Sequence, residues 1–223
     1  PQLSKHIQSK KKDKILLIQN KALELSLFLS IPASVALIIG SEYITSALFG
    51  YGSFNEIAVK NSAKALYFFA LGLPAFSLIK IFSSFFFANH NTKTPFYISL
   101  LSVILNIVIS VYYFKEIGFI IIPIATSISS WINGILLFIF LKKDNLFSFN
   151  KIFILRFIKI IFTSVLMGIL FSFLLIYFQD QLAFDQNMKS FYLILSVMLG
   201  LLFYLIISYW IKAFKTSDFK LNY

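Results

Sequence analysis

Six runs of apolar residues, separated by short polar stretches, limit what this chain can fold into. An α-helix rising 1.5 Å per residue needs about 20 apolar residues to cross a hydrocarbon core of about 30 Å. Residues 22–49, 63–88, 96–114, 117–141, 152–178 and 191–211 meet that requirement. Composition agrees: 59% of residues are apolar and 13% charged, against about 45–50% and about 25% in a soluble domain. A water-facing fold of this size has no room to hide 28 Phe and 11 Tyr. The expected fold is all-α, a polytopic bundle of six transmembrane helices with lipid as its main solvent. Pro32, Gly72 and Pro74 fall inside the spans and are read as helix kinks, since neighbouring helices can re-satisfy the freed backbone groups.

The charges give an orientation. Of twenty basic residues only Arg156 is an arginine, and the formal charge is +11. One set of loops and ends holds fifteen basic residues, within 5–21, at Lys93, and within 142–159 and 212–220. The alternate set holds four, Lys60, Lys64, Lys115 and Lys189, beside Glu56, Glu116, Asp180 and Asp185. By the positive-inside rule both termini are expected on the cytoplasmic side. Basic residues placed beside apolar spans do not suit nucleic-acid binding. The organisation read from this pattern is a cytoplasmic basic segment 1–21, four spans over 22–141 and a cytoplasmic loop 142–151. Two further spans over 152–213 and a cytoplasmic tail 214–223 complete it. The chain opens on Pro1 without an initiator Met, which reads as a fragment or a processed product.

Polar side chains within spans usually face a bundle interior or a watery cavity, because facing lipid costs several kcal/mol. Lys80 lies about eight residues from the cytoplasmic end of the second span. It is either a cavity-facing cation that meets an anionic substrate or a snorkelling or internally paired lysine. Asn106 and Asn133 are candidates for hydrogen bonds between helices, with substrate contact as the second reading. Ala125, Ser129 and Asn133 recur at spacing four with Thr126, Ser130 and Gly134 alongside, a stripe that either admits close helix approach or walls a polar cavity. Glu24 and Glu42 lie near opposite ends of the first span and read as interfacial. The last two spans carry little polar pattern and read as peripheral, offering an apolar groove to lipid tails.

The chain carries no recognisable catalytic motif. Neither His6 nor His90 has a carboxylate at metal-ligand spacing, and no Gly-rich phosphate loop, nucleophile elbow or paired acidic motif occurs. No metal and no cofactor is expected, and the chain is read as a transporter rather than an enzyme.

One stretch is more specific. Leu48-Phe49-Gly50-Tyr51-Gly52-Ser53-Phe54 is followed by Ala70-Leu71-Gly72-Leu73-Pro74-Ala75-Phe76-Ser77-Leu78-Ile79-Lys80. Then comes Phe86-Phe87-Ala88-Asn89-His90-Asn91-Thr92-Lys93-Thr94-Pro95. Their order and spacing resemble the MurJ/MviN family of bacterial lipid II flippases. Val103-Ile104-Leu105-Asn106, Ser130-Trp131-Ile132-Asn133 and the opening Pro1-Gln2-Leu3-Ser4 are similar to further family motifs. The resemblance implies the C-terminal part of a fourteen-helix, MATE-like flippase fold, with an N-terminal lobe and one preceding transmembrane helix outside this chain. It implies flipping of lipid II, an undecaprenyl-pyrophosphate-linked peptidoglycan precursor, across the bacterial inner membrane. Membrane lipid and the N-terminal lobe are the implied partners, and the last two helices an implied lipid-tail groove. Lys80 and the cytoplasmic loop motif Lys93, Thr94 and Pro95 match family positions. Asn89 and Asn91 stand where the family usually has Arg and Asp. The alternatives are a polysaccharide-unit or multidrug exporter of the same superfamily, a membrane-embedded transferase, or a membrane scaffold.

Overall fold

The structure, a computed structural model, describes residues 2–213, with side chains described from Lys14 onward. The tail expected over 214–223 lies outside the described residues, as do most side chains of the basic segment 1–21. Every regular element among the described residues is helical. The helices are α1 (Gln2–Phe49), α2 (Glu56–Ala88), α3 (Lys93–Ile117), α4 (Ile121–Lys143), α5 (Lys151–Tyr177) and α6 (Lys189–Trp210), with a 3-10 turn at Gly118–Ile120. The basic segment expected before the first span forms the N-terminal part of α1. At 48 residues that helix is about 72 Å long, more than twice the hydrocarbon thickness.

The count of six separate spans needs correction. Five helical runs rather than six are long and apolar enough to cross a membrane, because the expected spans 96–114 and 117–141 belong to one run, Lys93–Lys143, 51 residues, which doubles back on itself. The chain reverses within the 3-10 turn that follows Lys115 and Glu116, where Gly118 takes φ +73°. That left-handed conformation suits glycine. The reversal brings Asn106 and Thr126 within 3.0 Å, although twenty residues of straight helix would hold them about 30 Å apart.

The helices pack as a row. α1 lies at its centre between α2 and α5; α4 packs on α2, α3 on α4, and α6 on α5 with a lesser contact to α1. α3 is therefore as peripheral as α6, with Val111 and Tyr112 more than 70% exposed. Large apolar side chains cover the outward faces of every helix, as a bilayer requires.

Both internal prolines are accommodated by hydroxyls from neighbouring helices. Proline has no N–H, so the carbonyl four residues earlier loses its helical donor. In lipid an unsatisfied backbone group costs several kcal/mol. For Pro74 that carbonyl is Ala70 O, and Ser34 Oγ of α1 donates to it at 2.6 Å. For Pro32 it is Phe28 O, which accepts from the Tyr204 hydroxyl of α6 at 2.8 Å. From α4, Ser127 Oγ donates to Phe68 O and Trp131 Nε1 to Leu71 O at 3.0 Å. Three carbonyls around the Pro74 break are thus capped from two sides, and α2 continues through Gly72 and Pro74 as α1 continues through Pro32.

Close approach depends on glycine at two seams. A Cβ at Gly72 would lie 2.7 Å from Ser127 Oγ and 3.2 Å from its Cα, and one at Gly168 would lie 2.7 Å from Val35 Cγ1. These glycines set the α2–α4 and α1–α5 spacings, the small-residue packing expected between helices in lipid. A second tie joins α1 to α5: Arg156 Nη1 meets Glu24 Oε1 at 2.6 Å, both side chains largely buried. Glu24 is therefore half of a buried ion pair near the start of the first span.

Candidate functional site

The polar stripe of α4 is divided between its two neighbours. Ser127 and Gly134 meet α2, while Thr126 and Ser129 meet α3 through Asn106. The Asn106 amide donates to Thr126 Oγ1 at 3.0 Å and reaches Ser129 Oγ at a long 3.5 Å. Asn106 thus makes the interhelical bond that its position suggests. Thr126, Ser129 and Ser130 also return their hydroxyls to backbone carbonyls one turn earlier on α4. Asn133 is buried, and its Oδ1 has no hydrogen-bond partner among the described residues.

These residues line one cleft of about 310 Å³ between α2, α3 and α4. Phe76 and Ile79 form its apolar wall, and Ser99, Ser102, Asn106, Thr126, Ser129 and Asn133 its polar one. Native structures rarely strand a buried side-chain acceptor, so Asn133 Oδ1 is open to a donor. The cleft offers hydroxyls and amides and no charge, which suits a ligand presenting hydroxyl or amide groups.

Three of the four expected cavity residues, Asn106, Ser129 and Asn133, come together here. Lys80 does not line the cleft. It is exposed on α2, four residues beyond Phe76 and hence on the same helical face. Lys93, Thr94 and Pro95 are not in a loop: they form the first turn of α3. Asn91 caps that turn, accepting from Thr94 N at 3.1 Å while its amide donates to Thr94 Oγ1 at 3.0 Å. Asn89 Nδ2 donates to Phe85 O at 2.8 Å. These asparagines provide local caps at the turn between α2 and α3.

Lys189, an outer-loop charge by its place in the sequence, is 1% exposed. Its Nζ donates to Gly50 O and Phe184 O, both at 2.6 Å, and lies 4.3 Å and 4.6 Å from the ring centroids of Tyr51 and Phe184. Ser190 Oγ donates to Ala47 O at 2.7 Å and lies 2.7 Å from the Tyr51 hydroxyl. This knot fastens the start of α6 to the end of α1. No sequence spacing signals it, because its acceptors are carbonyls and rings 139 and five residues away.

At the opposite end Asn20 is a second fastening. Its amide donates to Leu16 O and Ser148 O at 2.8 and 2.9 Å, and Asn150 N donates to Asn20 Oδ1 at 3.2 Å. Asn150 Oδ1 in turn caps α5 at Phe153 N, 2.6 Å away. No group of three or more metal-ligating side chains occurs among the described residues.

Comparison with known proteins gives a consistent result. The family model described as lipid II flippase MurJ matches residues 1–193. A probable lipid II flippase MurJ of Rickettsia prowazekii (strain Madrid E) is 35% identical over 182 residues, 82% of this chain and 36% of that protein. The corresponding protein of Thermotoga maritima is 35% identical over 193 residues, 86% of this chain and 37% of its own length. A solved structure, lipid II flippase MurJ in an inward closed conformation, superposes with a TM-score of 0.73 at 28% identity. It covers 92% of this chain and 41% of that one. The chain therefore spans little more than a third of the curated relatives it matches.

Proposed function

We propose, from the premise that the chain belongs to the lipid II flippase MurJ family, that it is part of a transporter moving a lipid-linked peptidoglycan precursor across the bacterial inner membrane. Its helices make it a multi-pass membrane protein, and its Lys-rich ends face the cytoplasm. Translocation breaks no covalent bond. The protein's task is to solvate a large polar headgroup during crossing while the lipid chain stays among apolar helices.

The observation that carries this reading is the polar cleft between α2, α3 and α4, with the unpartnered Asn133 Oδ1 at its wall. A neutral hydroxyl- and amide-lined cleft matches the sugar and peptide portions of such a headgroup. The pyrophosphate needs cations. Lys80, exposed on the same face of α2 as Phe76, supplies one, and the rest belong to the portion of the family's length that this chain does not span.

The test is a hybrid in which this chain replaces the matching region of the Thermotoga maritima relative, assayed by complementation of a flippase-deficient strain. The hybrid should complement; Lys80→Ala and Asn133→Leu should each impair it at normal membrane abundance, and Lys80→Arg should retain more activity. A hybrid unaffected by both substitutions would remove the cleft and Lys80 from the transport path. The 223-residue chain alone should insert into vesicles without translocating lipid II. Robust translocation by it would overturn the need for a second lobe.

A further inference from the structure

α4 and α5 follow one another in the chain but scarcely touch. Between them, over α1 and α2, lies a groove of about 500 Å³. Leu27, Pro74, Phe82, Trp131, Ile135 and Phe157 represent its walls, and no lining side chain is polar except Trp131, whose N–H is already donated to Leu71 O. Water has nothing to bind there. The groove extends along α1 from Leu23 to Ile31, about 12 Å, comparable with the depth of one leaflet. It is separate from the smaller apolar hollow, about 240 Å³, between α1, α5 and α6.

One end of the groove is floored by rings that cross from α2 to α5. Phe82 and Phe138 lie 5.9 Å apart, Phe138 and Phe149 4.9 Å, and Phe149 and Phe153 5.0 Å. Beyond this floor the last turn of α4 carries Lys142 and Lys143 and α5 opens on Lys151, all exposed, against a single acid, Asp144, in the connection between them. The connection is held in place by the Asn20 bonds to Ser148 and Asn150, and α1 is held to α5 by the Glu24–Arg156 pair. Groove and cationic rim are therefore built in fixed register by contacts that do not depend on an occupant.

We infer that this groove binds an anionic glycerophospholipid of the membrane, one acyl chain lying between α4 and α5 and the phosphodiester on Lys142, Lys143 and Lys151. Charge complementarity selects the occupant. An apolar slot alone accepts any chain, but a slot ending on three exposed lysines selects a lipid whose net charge is negative. The lipid acts as a wedge that completes the packing of two helices that do not pack on each other. This inference requires only the membrane location, so it stands or falls separately from the transported substrate.

Trp131 provides the reporter, since it lines the groove and the chain has only one other tryptophan, the 79% exposed Trp210. The 223-residue chain carrying Trp210→Phe is reconstituted in phosphatidylcholine vesicles. Small fractions of phosphatidylglycerol or phosphatidylcholine brominated at mid-chain are then added. Brominated phosphatidylglycerol should quench Trp131 with an apparent affinity roughly five-fold above that of brominated phosphatidylcholine, and about 0.5 M salt should shrink the preference. Lys142→Gln, Lys143→Gln and Lys151→Gln together should bring the two lipids to parity. Gly134→Leu, which narrows the slot, should reduce quenching by both. Equal quenching in the parent chain, or a preference that survives both salt and the triple substitution, would overturn the inference. So would displacement of the brominated lipid by a polyprenyl phosphate but not by unbrominated phosphatidylglycerol, which would make the groove a seat for the substrate's tail.

Discussion

Ser34→Ala isolates one bond whose importance stems entirely from a proline on another helix. Ser34 is 4% exposed and Ala70 2%, so when the hydroxyl is removed Ala70 O loses its 2.6 Å donor in a place water does not reach. A stranded buried acceptor costs about 1–3 kcal/mol. Interhelical hydrogen bonds in membrane proteins average nearer ~0.6 and reach ~1.7 kcal/mol, because the dissociated helices find other partners. A loss of about 1 kcal/mol is therefore expected, roughly a five-fold fall in the folded-to-unfolded ratio. Pro74→Ala restores an N–H that can bond Ala70 O within α2. In that background Ser34→Ala should cost only a few tenths of a kcal/mol, giving a coupling energy of about 0.5–1 kcal/mol. The cycle is measured by reversible unfolding in mixed dodecyl maltoside and dodecyl sulfate micelles, followed by circular dichroism. An equal loss in both backgrounds would refute the assignment of the Ser34 hydroxyl to the proline's orphaned carbonyl.

The parallel cycle, Tyr204→Phe with Pro32→Ala, should show coupling of the same sign in the same assay, since Tyr204 donates to Phe28 O. Arg156→Ala deprives buried Glu24 of its 2.6 Å partner and should destabilise by roughly 2–4 kcal/mol, most of it recovered in a Glu24→Gln, Arg156→Met double variant. Gly72→Leu should cost about 1–3 kcal/mol or block folding by forcing α2 off Ser127, whereas Gly134→Ala, whose Cβ meets nothing nearer than 3.8 Å, should be neutral in a thermal melt. Single cysteines at Gly52, Lys115 and Gln181 should react with an impermeant maleimide added outside intact cells, and those at Thr92 and Asn145 should not; reversed labelling would invert the orientation.

Hydrophobic run length determined, from the sequence alone, that this chain is a helical membrane protein, because crossing a hydrocarbon layer imposes a length and an internally satisfied backbone. The motifs around Gly72-Leu73-Pro74 and Asn91-Thr92-Lys93-Thr94-Pro95 determined its family in the same way, being local in the chain. Ser129 and Asn133 were legible as one polar stripe and Asn106 as a polar residue where lipid penalises it, but the bond that joins the two across α3 and α4 was not. Features built from contacts distant in sequence were decided by tertiary structure alone. Tyr204 and Ser34 read as ordinary residues until the fold sets them against the carbonyls of Phe28 and Ala70. Lys189 counts as a loop charge until Gly50 O and Phe184 O, with two aromatic rings, replace its water. That the expected spans 96–114 and 117–141 belong to one helical run, Lys93–Lys143, was decided by the fold: hydropathy placed their boundary beside Lys115 and Glu116, but the form of the reversal, a 3-10 turn at Gly118–Ile120, is set by backbone contacts. A one-dimensional pattern encodes the solvent each residue prefers; which donor meets which acceptor is fixed only when the helices choose their neighbours.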